Sequence, residues 1–330
     1  MKIGVIGTGS WATALTQVLV DNGRDVLMYG ISKEEVDDIN LNHKNSKYFE
    51  CDINPNIKAT TKMEDLKDAE VILLGVPVMA LESVCKQLKE IIDHKIYVIN
   101  VAKGFHPITG ERLSLVIKNY LGDHLNDVIS IIGPSHAEEV ILRLLTIVNS
   151  VCENVESAKI IQKLFANDYF RVYTNTDVVG AEIAAATKNV MAIASGVLTG
   201  LGQGDNARAA LMTRGIYEMT RFGLYYGGQK ETFLGLNGVG DLIVTCSSYH
   251  SRNFQAGLAI GKADDAVEFL ANNKKTTEGV NTAKVVHRLA LENGIDMPIT
   301  NEVYQVLFEG KKPSVAIVDL MNRPLKSESI

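Results

Sequence analysis

The sequence predicts an α/β fold, with a doubly wound parallel sheet in the first half of the chain and an all-helical domain after it. Short runs of β-branched and other apolar residues alternate with helical patterns over the first half. This alternation is typical of parallel strands covered by helices on both faces. From about Val178 onward, long helical patterns with few aromatic residues replace the strand-like runs. The length of 330 residues also fits two domains, at roughly 150 residues each.

The individual elements follow from the same patterns in chain order. Strands are predicted at residues 3–6, 25–29, 71–74, 96–101, 128–132 and 146–150. Long helices of the second half are predicted at residues 178–199, 205–222, 241–247, 253–261, 279–293 and 300–308. We therefore assign residues 1–175 to the first domain and residues 176–330 to the second.

Composition and charge exclude several classes of protein. The chain is 46% hydrophobic and 22% charged, which is typical of a globular protein with a buried core. Its 33 basic and 39 acidic residues give a net charge of −6, which argues against a nucleic-acid partner. The longest clean apolar run, residues 71–81, is shorter than the roughly 18 residues of a membrane span, so no membrane insertion is expected. The four cysteines have no zinc-ligand spacing, so we expect no metal site and reduced thiols in a cytoplasmic protein.

A glycine-rich turn follows the first predicted strand. Residues 7–12 read Gly-Thr-Gly-Ser-Trp-Ala, the G-x-G-x-x-A pattern, and a helix continues from Ala12. Gly7 permits a tight turn, Gly9 lets a pyrophosphate approach the backbone, and Ala12 permits close helix packing. Because the next strand follows in βαβ order, we interpret the first domain as a Rossmann-type dinucleotide-binding domain.

The end of the second predicted strand carries the residues expected to read the ribose of the cofactor. An acidic residue there binds the hydroxyls of NAD, and an arginine holds the 2′-phosphate of NADP. The chain has Ile31, Ser32 and Lys33 instead, so we expect only weak discrimination between NADH and NADPH.

Two further polar segments follow predicted strands of the first domain. Lys103 lies after residues 96–101, at the sheet edge where open α/β sheets bind ligands, although a solvated loop lysine is an equal alternative. Residues 133–137, Gly-Pro-Ser-His-Ala, form a tight turn that offers backbone N–H groups and a hydroxyl to an anionic ligand. An ordinary turn, with His136 as a capping or surface residue, is the alternative there.

Lys188 is the strongest catalytic candidate in the second domain. Its predicted helix is otherwise small or apolar, with Ala184 and Ala192 one turn away on either side. Poor solvation of the ammonium would lower the pKa of this lysine toward the range useful for proton transfer. The alternative is a surface lysine whose apolar stem is buried.

Two predicted helix starts of the second domain carry polar residues. Asp241 ends a glycine-rich segment and is well placed as a helix N-cap. Ser251, Arg252 and Asn253 open the next helix, where a hydroxyl, a guanidinium and backbone N–H groups together form a phosphate site. Plain capping is the alternative for this segment.

Taken together, these motifs resemble the bacterial NAD(P)-dependent glycerol-3-phosphate dehydrogenases over essentially the whole chain. The matching blocks are residues 7–11, 101–104, 133–140, 188–189, 204–215, 240–246, 251–253 and 278–280. The resemblance implies reversible NAD(P)H-dependent reduction of dihydroxyacetone phosphate to sn-glycerol 3-phosphate, which supplies glycerophospholipid synthesis. A homodimer in the cytoplasm is the expected state.

The resemblance also implies roles for individual residues. Lys188 would exchange a proton with the C2 oxygen of the substrate. The implied substrate contacts are Lys103, Gly133, Ser135, Asp241, Ser251, Arg252 and Asn253. The implied cofactor contacts, beside Gly7 and Gly9, are Ser10, Trp11, Ile31, Tyr48, Lys103, Ala137, Arg252 and Glu278.

Three segments depart from the family pattern. Ile31 stands where many members have arginine or histidine, Leu145 and Ile147 replace a Pro-Thr-Thr segment, and residues 185–187 replace Gly-Ala-Leu. Two alternative functions stay open: another two-domain dehydrogenase, acting on a hydroxyacid or an acyl thioester, and a dinucleotide-sensing protein without catalysis.

Overall fold

The computed structural model describes residues 1–272, 277–325 and 327–328. The chain divides into two compact units: unit 1 comprises residues 1–106 and 111–178, and unit 2 comprises residues 107–110 and the chain from residue 179 onward. The predicted boundary between residues 175 and 176 lies close to this division. No local pattern predicted that residues 107–110 belong to unit 2.

Unit 1 contains the sheet. Its strands are β1 (Ile3–Ile6), β2 (Val26–Tyr29), β3 (Lys58–Thr60), β4 (Val71–Leu74), β5 (Ile96–Asn100), β6 (Leu125–Ile132), β7 (Thr146–Val151) and β8 (Phe170–Asn175). Its helices are α1 (Ser10–Asp21), α2 (Lys33–Asp37), α3 (Val78–Ile91), α4 (Leu113–Leu121), α5 (Ala137–Val140) and α6 (Val155–Phe165).

The strand order is β3-β2-β1-β4-β5-β6-β7-β8, which confirms the predicted doubly wound topology. Two of these strands, β3 and β8, were not predicted. Strand β3 has only three residues, and β8 alternates buried Phe170 and Val172 with exposed Arg171 and Tyr173. Both lie at the edges of the sheet, where strands lack the continuous apolar run that marks a central strand.

The sheet was predicted to be parallel, and one pair of neighbouring strands departs from this prediction, because β6 and β7 are antiparallel. Between them the chain forms only the four-residue helix α5. At about 1.5 Å per residue, this helix cannot carry the chain back along the eight-residue strand β6, which spans about 26 Å. The chain therefore re-enters the sheet at the end where β6 finishes, and β7 runs in the opposite direction to β6.

Two apolar layers cover the sheet of unit 1. Val5, Leu73 and Ile99 pack with α1 and α6 on one face, while Ile72, Leu74 and Val98 pack with α3 and α4 on the other. The alternation along each strand explains why β1 and β4 are buried at every position.

The described part of unit 2 contains helices and no strands, as predicted. The helices are α7 (Val178–Gly200), α8 (Asp205–Tyr225), α9 (Lys230–Leu234), α10 (Asp241–Ser247), α11 (Arg252–Ala263), α12 (Val267–Asn272), α13 (Glu278–Glu292), α14 (Pro298–Phe308) and α15 (Pro313–Met321).

Helix α7 is the central helix of unit 2. Among the described residues, it alone is long and apolar enough to cross a membrane, by length and composition only. However, 83% of its most apolar stretch is buried inside the structure, and a core helix passes the same test. Glycines let α11 approach it closely: a Cβ at Gly257 would clash with the backbone oxygen of Ile193, and one at Gly261 with that of Val197.

Candidate active site

The glycine turn of unit 1 has the geometry of a dinucleotide site. Gly7 has a φ of +112°, and a Cβ there would lie 2.5 Å from the backbone oxygen of Gly75, so only glycine fits. Gly9 is the N-cap of α1 and has no neighbour within 4 Å of its missing side chain. Ala12 packs against Gly75, since a Cβ at Gly75 would lie 2.6 Å from that of Ala12. The structure therefore has the predicted tight turn at Gly7 and the predicted close packing at Ala12, and it leaves open space at Gly9.

Trp11 adds a hydrogen-bond donor to this turn. Among the described residues, its buried Nε1 atom has no hydrogen-bond partner. A buried donor without a partner is costly, and a polar group of a bound ligand would satisfy it. Together with the free N–H groups of the first turn of α1, which begins at Ser10, this observation fits a bound nucleotide.

The loop that carries Tyr48 is tied to the glycine turn through Asn45. The Asn45 side-chain amide donates to the Thr8 carbonyl at 2.8 Å and to the Thr13 hydroxyl at 2.9 Å. Asn45 is buried, whereas Tyr48 is half-exposed and Ile31 is 91% exposed. Tyr48 and Ile31 are cofactor contacts implied by the resemblance, whereas the buried Asn45 was not singled out in the sequence, because its hydrogen bonds depend on the fold.

A second residue missed in the sequence is Glu35, in α2. The Thr8 hydroxyl donates to one of its carboxylate oxygens at 2.5 Å, and the Lys47 ammonium donates to the other at 2.5 Å. An acidic side chain therefore lies beside the glycine turn, although none stands at residues 31–33.

The polar residues predicted around Lys103 and Gly133 lie at the carboxyl edge of the sheet. Because β1, β4, β5 and β6 are parallel, the segments that follow them meet at one edge. Asn100 shapes the turn before Lys103, since its carboxamide oxygen accepts a hydrogen bond from Ala102 N at 3.2 Å.

The turn at Gly133 is tight. Gly133 has a φ of +153°, and a Cβ there would lie 2.9 Å from the Cα atom of Val148. The Ser135 hydroxyl donates to the Gly133 carbonyl at 3.0 Å. His136 is the N-cap residue of α5, and Ala137 is the first residue of that helix. The arrangement brings Gly133, Ser135 and Ala137 into one short segment.

In unit 2, Lys188 lies at the centre of a buried polar cluster. Its ammonium donates to the Asp241 carboxylate at 2.5 Å and to the Thr245 hydroxyl at 2.7 Å. The side chains of Lys188 and Asp241 are 5% and 1% exposed. The Thr245 hydroxyl in turn donates to the Asp241 carbonyl at 2.5 Å. A lysine, a carboxylate and a hydroxyl thus form one connected, buried hydrogen-bonded cluster.

This geometry changes two expectations. The prediction that Asp241 is an N-cap was wrong: Gly240 precedes α10, and Asp241 is the first helical residue, with its carboxylate turned to Lys188. The sequence also predicted small and apolar neighbours for Lys188, whereas the structure places the Asp241 carboxylate of α10 beside its ammonium. Thr245, one turn after Asp241, was not singled out in the sequence; its i,i+4 spacing from an aspartate is the signal that could have found it.

The three residues of the predicted phosphate site have different surroundings. Ser251 is the N-cap of α11, and its hydroxyl accepts a hydrogen bond from Phe254 N at 3.2 Å. Arg252 is exposed at the first position of the helix. The Asn253 side-chain oxygen accepts a hydrogen bond from Gly279 N at 2.9 Å, which ties the start of α11 to the start of α13, where Glu278 lies.

Asn189 provides a further buried donor beside Lys188. It is 3% exposed, and among the described residues its Nδ2 atom has no hydrogen-bond partner. The Asn189 amide can therefore donate to a ligand oxygen near Lys188. Sequence reasoning included Asn189 in a matching block but gave it no role.

The departures from the family pattern at Thr187 and Leu145 remove none of the hydrogen bonds described above. Thr187 is buried, and its hydroxyl donates to the Ile183 carbonyl at 2.7 Å within α7, so the extra polar group is satisfied. Leu145 is 83% exposed in the loop before β7.

Comparisons with known proteins cover the whole chain. The profile of the NAD-dependent glycerol-3-phosphate dehydrogenase N-terminus matches residues 2–158, and that of the C-terminus matches residues 177–318. A Streptococcus uberis protein named glycerol-3-phosphate dehydrogenase [NAD(P)+] is 45% identical, over 99% of this chain and 98% of its own length. The Streptococcus mutans protein of the same name is 44% identical over the same shares. Among solved structures, glycerol-3-phosphate dehydrogenase from Coxiella burnetii superposes with a TM-score of 0.91 at 35% identity, covering 98% of this chain and 99% of that one.

Proposed function

Because this chain belongs to the family of NAD-dependent glycerol-3-phosphate dehydrogenases, we propose that it catalyses the reversible reduction of dihydroxyacetone phosphate to sn-glycerol 3-phosphate. It is an NAD(P)-dependent oxidoreductase. The single observation that carries the proposal is the buried contact of Lys188 with Asp241 and Thr245, which holds a proton donor in a site shielded from water.

Lys188 is the proposed acid and base. When hydride adds to C2 of the ketone, the C2 oxygen becomes an alkoxide, and the Lys188 ammonium donates a proton to it. In the oxidation direction, the neutral amine takes the proton from the C2 hydroxyl. Asp241 and Thr245 hold the Lys188 nitrogen in place in both directions. Lys103, in unit 1, is a further proposed substrate contact that carries a positive charge.

The start of α11 is the proposed phosphate subsite. The Ser251 hydroxyl already accepts a hydrogen bond as the helix cap, so its own proton remains available for a phosphate oxygen. Arg252 adds a guanidinium, and the Asn253 amide adds further donors. Gly133 and Ser135 are the proposed substrate contacts from the turn after β6.

The proposed cofactor contacts are Gly7, Gly9, Ser10, Trp11, Ile31, Tyr48, Lys103, Ala137, Arg252 and Glu278. Bound NADH or NADPH supplies the hydride. The turn at Gly7 and Gly9 and the first turn of α1 bind the pyrophosphate through backbone N–H groups, and the Trp11 Nε1 atom gains a hydrogen-bond acceptor.

The test follows NADH absorbance in the presence of dihydroxyacetone phosphate. We expect NADH consumption and formation of sn-glycerol 3-phosphate, and no comparable rate with a 2-oxoacid or an acyl thioester. Activity only with those compounds would support the alternative that the chain is a dehydrogenase acting on a hydroxyacid or an acyl thioester. Cofactor binding without turnover of any of them would support the sensing protein.

We also propose that the enzyme acts in the cytoplasm, without membrane insertion, as a homodimer, and that its product supplies glycerophospholipid synthesis. The reaction has two small-molecule partners, dihydroxyacetone phosphate and sn-glycerol 3-phosphate. The net charge of −6 argues against a nucleic-acid partner.

A further inference from the structure

A largely buried carboxylate, that of Glu35, lies in α2, the helix that follows β2. Glu35 is three positions after Ser32, whose hydroxyl accepts a hydrogen bond from Glu35 N at 3.3 Å. This cap fixes the first turn of α2 at the end of β2. In sheets of this topology, the residues that follow β2 approach the adenosine ribose.

Glu35 is attached to the phosphate-binding turn itself. Thr8 stands between Gly7 and Gly9, and its hydroxyl holds one Glu35 oxygen at 2.5 Å. Thr8 also packs on Gly30, since a Cβ at Gly30 would lie 2.5 Å from the Thr8 methyl carbon. The carboxylate is therefore fixed between the turn and the strand end, with its side chain only 12% exposed.

Two lysines near the end of β2 are engaged with carboxylates. The Lys47 ammonium lies 2.5 Å from Glu35, and the Lys33 ammonium lies 2.5 Å from Asp37. Ile31 offers no donor to a phosphate. A carboxylate with two oxygens accepts more hydrogen bonds than the two recorded here, so Glu35 retains acceptor capacity for a ribose hydroxyl.

We propose that Glu35 binds the hydroxyls of the adenosine ribose and makes the site selective for NADH over NADPH. The inference rests on the proposed function, because it assumes that the glycine turn binds a dinucleotide. The 2′-hydroxyl of NADH donates to the carboxylate, whereas the 2′-phosphate of NADPH meets a like charge. The Thr8 hydroxyl holds the carboxylate in place, and the Lys47 ammonium is its counter-charge. The weak discrimination expected from residues 31–33 alone is thereby replaced by a preference.

The experiment measures binding of NADH and of NADPH by titration calorimetry, without substrate, to the whole protein. We expect the wild type to bind NADPH at least about tenfold more weakly than NADH, and Glu35→Gln to reduce that ratio by about tenfold. Glu34→Gln is the matched control: it removes the same charge from the neighbouring, exposed position and should leave the ratio within about twofold.

A second variant keeps the proposal testable if Glu35→Gln does not fold. Lys47→Gln leaves Glu35 without its cation and should increase the ratio. Equal affinities in the wild type, or equal effects of Glu34→Gln and Glu35→Gln, would overturn the proposal while leaving the proposed function intact. If neither cofactor binds the wild type, the proposed function itself fails.

Discussion

At the residue scale, Lys188 is the proposed acid and base of the reaction. Lys188→Ala should reduce kcat by about 100- to 10,000-fold, because removing a positioned proton donor typically has that effect. The measurement is turnover with dihydroxyacetone phosphate at saturating NADH. Near-normal turnover by the folded variant would remove Lys188 from the mechanism.

The same substitution also tests packing, so it needs a control. Without Lys188, the buried Asp241 carboxylate loses its counter-charge, and loss of one member of a buried pair costs about 3–5 kcal/mol. Lys188→Met combined with Asp241→Asn removes both charges and should recover much of the stability in chemical denaturation, but not the activity. Recovery of activity would mean that the pair is only structural.

The stability of the protein should depend on pH because of the buried carboxyl group of Glu218. It is buried in α8 and accepts hydrogen bonds from Ile299 N at 2.6 Å and Thr300 N at 3.2 Å, at the start of α14. Burial raises the pKa of Glu218 from 4.5 to about 7, although these hydrogen bonds and the Arg221 charge act in the opposite direction. Because the folded pKa is higher than the unfolded one, the stabilising contribution is present below pH 4.5 and is lost as pH rises through about 7.

The size of this effect follows from the shift. At 1.36 kcal/mol per pKa unit, it amounts to about 3 kcal/mol. Glu218→Gln does not titrate, so between pH 4.5 and pH 8 the wild type should lose about that much free energy of unfolding relative to the variant. Denaturant titrations at several pH values provide the comparison. A constant difference between the two proteins across this range would contradict the assignment.

At the element scale, the N-terminus of α11 should determine affinity for the phosphate. Arg252→Ala should lose at least about 1.5–3 kcal/mol of transition-state stabilisation with dihydroxyacetone phosphate, the value of a charged hydrogen bond, and much less with dihydroxyacetone. The comparison uses kcat/KM for both substrates, with NADH affinity measured separately, since Arg252 is also a proposed cofactor contact. Equal losses would place the phosphate site elsewhere, at Lys103 and the turn of residues 133–135.

Because α7 and α11 pack closely, Gly257→Ala should lower the stability of the protein, whereas helix propensity alone would predict an increase. Gly257→Ala in an exposed helix would stabilise by about 1 kcal/mol. Here the added Cβ meets the Ile193 backbone, so we expect a destabilisation of about 1–3 kcal/mol from overpacking. Lys262→Ala, on the exposed side of the same helix, should change stability by less than about 0.5 kcal/mol. Thermal or denaturant unfolding distinguishes the two; a stabilised Gly257→Ala would show that the helices can move apart freely.

The elements that sequence could predict are those with a continuous pattern. Central strands such as β1 and β4 are buried on both faces, and α7 has a long apolar run, so all three were predicted. Edge strand β3 and the direction of β7 depend on pairing and on connection length, which local patterns do not encode. For the same reason the pattern of its own helix singled out Lys188 as a candidate, whereas its contact with Asp241, 53 residues later, was not predicted.

At the scale of the whole molecule, the residues proposed to bind substrate and cofactor are divided between the two units. The glycine turn, Glu35 and the turn of residues 133–137 belong to unit 1, while Lys188, Asp241 and the start of α11 belong to unit 2. Most proposed cofactor contacts thus lie in one unit and the proposed proton donor in the other. A chain with net charge −6 binds a phosphorylated substrate only through such local donors.

This division predicts an ordered pattern of protection in hydrogen exchange. NADH alone should slow amide exchange in the first turn of α1 and in the Asn45–Tyr48 loop, since bound ligand stabilises the segments it contacts. Addition of sn-glycerol 3-phosphate with NAD⁺ should add protection at α10 and the start of α11, and Arg252→Ala should weaken this second effect while sparing the first turn of α1. Hydrogen-exchange mass spectrometry of the whole chain measures both segments at once. Protection of α11 by the phosphate compound with no dependence on Arg252 would move the phosphate contact away from this helix, because the guanidinium there would then have no part in holding the substrate.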